Sequence, residues 1–210
     1  MTTTRGSLSR DQIRRIATTG MLMALIAALT LSNLDFIRSG PIAVTTLHLP
    51  LLIGLLAEGP VVGFILALTF GLSSLFKSLL VPMSPFDPFF VNPLVSILPR
   101  LLIPLGAMGV YWLMNKLLPS SKAKKSITWA VTSVAGSLTN TIFVLLAIYF
   151  LYGKRVTELL AEYGMTEYAN AAGKYLIVGV GLPNGLLEAL LAMILVPTIM
   201  VAVTAVKKRR

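Results

Sequence analysis

Uninterrupted apolar runs dominate this chain, and about 20 apolar residues in a helix are what crossing the roughly 30 Å hydrocarbon core of a bilayer requires. The first run, Ile16 to Leu34, follows Arg10, Arg14 and Arg15. Leu47 to Ala57 is too short to cross upright at about 1.5 Å of rise per residue, unless it begins earlier, near Ile42. The turn Glu58-Gly59-Pro60 ends it and starts the third run, Val61 to Leu80, as an antiparallel neighbour. Pro82, Pro85 and Pro88 then forbid a helix in a rigid, aromatic loop. Asn92 to Leu118 forms the fourth run; its Pro93, Pro99 and Pro104 predict a kinked or broken helix, tolerated only where protein or a cavity covers the break. Ile127 to Leu151 and the overlong Tyr175 to Val206, with Pro183 and Pro197, complete an expected all-α membrane bundle of about six transmembrane helices. Residues 153–173 are expected to form an extracellular amphipathic loop, in which Val156, Leu159, Leu160 and Tyr163 share one face of a short helix lying on the membrane.

The composition leaves room for little besides such spans. Of 210 residues, 56% are hydrophobic and 12% charged, and mean hydropathy is +0.84. That speaks against a soluble enzyme, a disordered chain or a nucleic-acid-binding domain, although the pI is near 10.2. With no cysteine there is no disulfide, thiolate metal site or thiol nucleophile, and the single histidine, His48, leaves little for a metal site or a Ser-His pair. Neither a cofactor nor a metal is expected. The polar stretch Met1 to Asp11, followed by a long apolar run without a cleavage site, argues against a signal peptide.

Lys and Arg in such a chain are first of all orientation signals. Arg5, Arg10, Arg14 and Arg15, then Lys116, Lys122, Lys124 and Lys125, then Lys207, Lys208, Arg209 and Arg210 fall on one side and make up twelve of the eighteen basic residues. The positive-inside rule puts that side in the cytoplasm, with a basic N-terminus over residues 1–15 and both termini inside, so the number of spans is even. Residues 1–210 are then one six-span membrane domain whose longer loops share the outer face.

Arg100 lies about 12 Å inside the fourth span, where an ionised group costs roughly 2.5–3.5 kcal/mol on insertion scales and needs a partner or a wet cavity. It can pair bidentately with a substrate carboxylate, or form a structural ion pair with Glu188 of the last span; both readings stay open. Asn140 and Asn184 lie at similar depth, and Glu188 is one helical turn beyond Asn184 on the same face, which places a polar pocket between spans 4, 5 and 6. Interhelical hydrogen bonds are the plainer alternative for each amide. His48, beside Thr45 and Thr46, is a capping, interfacial or binding residue. Asn92 and Phe90 at the entrance to span 4 complete the candidate binding set, with Phe86, Phe89 and Phe90 read as an interfacial belt or a lid.

On the first span Ala17, Gly20, Ala24 and Ala28 form a stripe of small residues, suited either to a partner helix or to packing within the bundle. There is no GxxxxGK[ST] motif, no GxSxG motif and no pair of similar halves with matching broken helices.

The small-xxx-small first span, His48-Leu49-Pro50 and Glu58-Gly59-Pro60-Val61-Val62-Gly63, in a chain of this length and span number, resemble the substrate-binding S components of energy-coupling factor (ECF) vitamin transporters. The likeness covers nearly the whole chain. It implies a non-enzymatic subunit in the cell membrane that binds a vitamin from outside. It also implies a transmembrane coupling subunit, EcfT, contacted through Gly20 and Ala24 or Ala24 and Ala28, with two ATPase subunits beneath it and no nucleic acid. The segment from Ser84 through Phe90 and Asn92 to Arg100 is most similar to the pantothenate-specific branch, while folate, biotin and riboflavin remain alternatives. A membrane enzyme using Glu188 and His48, or a proton-coupled carrier using Glu188, are the competing readings from other classes.

Overall fold

A computed structural model describes residues 9–39, 42–121, 123–168 and 171–208. Arg5, Gly40, Pro41, Lys122, Arg209 and Arg210, which enter the charge count and the first loop, lie outside the described residues.

Helix α1, Arg10–Leu31, starts at Ser9, whose hydroxyl accepts from the Gln12 backbone while the Gln12 side chain accepts from the Ser9 N–H. It leads to two short strands, β1 (Phe36–Ser39) and β2 (Ile42–Thr45), paired antiparallel with Phe36 opposite Thr45. The sequence led us to expect a loop there, or an earlier start of the second helical run near Ile42; β2 occupies Ile42–Thr45 and the helix starts only at His48. Helix α2, His48–Glu58, is as short as its apolar run, about 16 Å long. His48, Pro50, Leu51, Leu52, Gly54 and Leu55 are buried, which suits a helix that is apolar on all sides. Gly59 joins it to α3, Pro60–Leu80, with φ at +95°, a conformation that only glycine adopts without strain.

After a 3-10 turn at Asp87–Val91, the fourth apolar run is broken as its prolines require, into α4 (Pro93–Ser96) and α5 (Leu98–Leu117). Asn92 caps α4 by accepting from the Leu94 N–H, with Pro93 at the first helical position. Helix α6, Lys124–Glu162, bends at Tyr152 and then continues. A single turn, α7 (Ala172–Lys174), and a π-helical stretch, Tyr175–Gly181, lead into α8, Leu182–Lys208. Among the described residues five helical segments are long and apolar enough to cross a membrane: Arg10–Leu31, Pro60–Leu80, Pro93–Leu117, Lys124–Glu162 and Ala172–Lys207.

Two apolar clusters hold the bundle. In one, Leu51, Leu52 and Leu55 of α2 meet Leu66 and Phe70 of α3, Ile103 of α5, Trp129 of α6 and Val196 of α8. In the other, Phe89 and Val95 meet Val144, Ile148, Val156 and Leu160 of α6 and Leu176 of the π-helical stretch. The second cluster differs from expectation in two ways. The amphipathic segment after Tyr152 turns Val156 and Leu160 onto the protein, because α6 bends back over the bundle instead of ending. Phe89 is buried, and Phe86 stacks on Tyr175 with ring centres 6.2 Å apart, so these rings face inward and do not form a belt.

Candidate functional site

Pro99 shapes the site. In an unbroken helix its N–H would bond the Val95 carbonyl, and proline has none. The Arg100 guanidinium takes that carbonyl instead, with Nη1 donating at 2.7 Å. The Arg100 side chain is thereby fixed across the break, 4% exposed, with its Cζ 5.1 Å from the ring centres of both Phe70 and Phe90. Among the described residues it forms no ion pair, and its Nε has no hydrogen-bond partner.

Glu188 does not supply that partner. It is 5% exposed; its Oε1 accepts from the Thr45 backbone N–H at 2.7 Å and its Oε2 from the Thr141 hydroxyl at 3.2 Å. Glu188 and Arg100 are close enough to feel one another's charge without contact. Both line a cavity of about 450 Å³, together with Asn140, Thr141, Asn184, Phe90 and Thr45. The Asn140 side-chain oxygen is buried and unpartnered. Met83 to Asp87, Leu159, Leu160, Tyr163 and Tyr175 also line the cavity. A guanidinium, a carboxylate and two amides among aromatic and aliphatic walls suit a small ligand with one anionic group and several hydrogen-bonding groups.

Of the residues singled out from the sequence, Arg100, Asn140, Asn184, Glu188 and Phe90 meet at this cavity, while His48 and Asn92 are not among its lining residues. His48 opens α2 and is fully buried; neither ring nitrogen makes a hydrogen bond, and backbone groups of Thr45 and Glu188 lie near it. Asn92 is engaged at both ends of its amide, capping α4 and donating to the Tyr152 hydroxyl at 3.2 Å. Thr45, Thr141, Tyr163 and Tyr175 were not singled out. The apolar face containing Tyr163 was legible from its spacing, but spacing does not tell which surface a face meets.

Ala17, Gly20, Ala24 and Ala28 are all exposed on α1, whose buried residues Thr19, Ile26 and Thr30 lie on another face. Nothing approaches within 4 Å of where a Cβ on Gly20 would sit. Among the described residues the stripe therefore lies on the outside of the bundle.

A family profile described as "ECF transporter, substrate-specific component" matches residues 14–200. The chain is also 28% identical, over 177 residues covering 78% of it and 79% of its relative, to "Pantothenic acid transporter PanT" of Lactococcus lactis subsp. cremoris (strain MG1363). Together with the apolar helices, the match describes a multi-pass membrane protein that takes part in transport and is not an enzyme. The chain belongs to the family of ECF transporter substrate-specific components.

Proposed function

We propose that this chain is the pantothenate-binding component of its transporter, taking the vitamin from outside the cell and delivering it through a coupling subunit and two ATPases. The observation that carries this reading is the buried Arg100, without an ion pair among the described residues, on the wall of a cavity that also presents Asn140, Asn184 and Glu188. Pantothenate is a monoanion with an amide and two hydroxyls. Its carboxylate suits the Arg100 fork, and its other groups suit the amides and Thr141. The relative named as a pantothenic acid transporter supports the choice of vitamin.

Calorimetric titration of the purified chain with pantothenate, beside an Arg100→Ala variant, tests it. Removing one partner of a desolvated charge pair costs about 2–5 kcal/mol, so the variant should bind at least about thirtyfold more weakly. Equal affinities would remove Arg100 from the site, and no binding to the parent chain would exclude pantothenate.

A further inference from the structure

The cavity has a charge balance that an anionic ligand upsets. Among the described residues Arg100 is the only cation lining it, and Glu188 is the buried carboxylate that faces the same space. Asp87 also lines the cavity, but it is less deeply buried and its carboxylate accepts from the Met83 and Ser84 N–H groups of its own turn. Without ligand, Arg100 and Glu188 offset each other. A ligand carboxylate docked on Arg100 takes up that cation and leaves Glu188 as a desolvated charge with no counter-ion, which is a costly arrangement.

Hydrogen bonding around Glu188 accommodates the remedy. The Thr141 hydroxyl lies 3.2 Å from Glu188 Oε2 and 3.3 Å from the Ser137 carbonyl oxygen. One hydroxyl carries one hydrogen, so these two bonds alternate. With Glu188 ionised, Thr141 donates to it. With Glu188 protonated, Oε2–H donates to Thr141 Oγ1, and Thr141 turns to donate to Ser137. The Thr45 N–H holds Oε1 in either state. We propose that Glu188 is a proton site coupled to the ligand site, so that one proton from water is taken up for each anion bound. This rests on the anionic ligand of the preceding section.

Other titratable groups face the same region. Arg100 comes from α5, His48 from α2, Asp87 and Tyr163 from the segments over the cavity, and Tyr175 from the π-helical stretch, while β2 and α6 present only Thr45, Asn140 and Thr141. His48 is the competitor to exclude.

The test is titration of the full chain in lipid nanodiscs with pantothenate at about pH 8, where an ordinary carboxylate is ionised. Buffers of different ionisation enthalpy are used, so that the heats give the number of protons taken up. The expected result is close to one proton per ligand, with Kd falling by up to about tenfold for each unit that pH is lowered from about 9. Glu188→Gln should bind with a count near zero and a flat pH profile, and His48→Gln should keep the count near one. A zero count in the parent chain, a count unchanged in Glu188→Gln, or a count lost in His48→Gln would each overturn the assignment. Should Glu188→Gln not fold, His48→Gln and Asp87→Asn decide, since loss of the count in either would overturn the assignment and its retention in both leaves Glu188 as the buried carboxylate of the cavity. Absence of any binding would instead count against the pantothenate reading.

Discussion

The position of Arg100 depends on a neighbour with no side chain. Gly71 lets α3 come so close to the break between α4 and α5 that an added Cβ would lie 2.9 Å from Ile97 Cα and 3.1 Å from the Ser96 carbonyl oxygen. Both are backbone atoms and cannot rotate away. Gly71→Ala should therefore lower stability by about 1–3 kcal/mol in denaturant unfolding and weaken ligand binding, because the displaced segment carries Arg100. A variant as stable as the parent would mean that the two helices separate without cost. At this scale the sequence showed which residues are expensive in a membrane, and Arg100, Asn140, Asn184 and Glu188 stand out by type and depth alone. It did not show that they share a cavity, nor that Glu188 is engaged by Thr45, 143 positions away in the chain. His48 and Asn92 were equally polar, but their local surroundings, a fully buried helix start and a cap, keep them off the lining.

Among the elements, α1 carries an exposed stripe of small residues. Small side chains along Ala17, Gly20, Ala24 and Ala28 let another helix approach closely, and close packing drives helix association in lipid. If that face meets the coupling subunit, Ala24→Trp should leave ligand affinity unchanged and abolish uptake by the assembled transporter. Loss of both in parallel assays would place the stripe inside the bundle after all. The broken fourth run was readable from its prolines, and the short α2 from its length. The β1–β2 pair was not, because strands of four residues carry too little pattern to stand out between helices. The helix after Tyr152 was readable from the spacing of Val156, Leu159, Leu160 and Tyr163, but not that it continues α6, where Arg155 pairs with Glu158 and Glu162 on the surface and Val156 and Leu160 turn to the protein interior instead of the membrane.

For the whole molecule, the path through the bilayer is testable by labelling. Five long helical segments and the 11-residue α2 are consistent with the six-span arrangement read from the charges if α2 and the strands before it together reach across. The chain contains no cysteine, so single introduced thiols report their side without interference. With both termini inside, Ser121→Cys should react with a membrane-impermeant maleimide only after cells are opened, and Lys154→Cys should react in intact cells. The reverse pattern would invert the molecule. Orientation is read from loops and charges and is what the labelling tests, whereas the shape of the cavity depends on how distant segments bend towards one another.

The hydrogen bond from Thr45 to Glu188 has a kinetic consequence. Strand β2 ends at the cavity wall and is fastened to a residue that lines it, so the strand cannot lift away without loosening that carboxylate. Were a bound molecule to leave past this segment, its release would require that hydrogen bond to break.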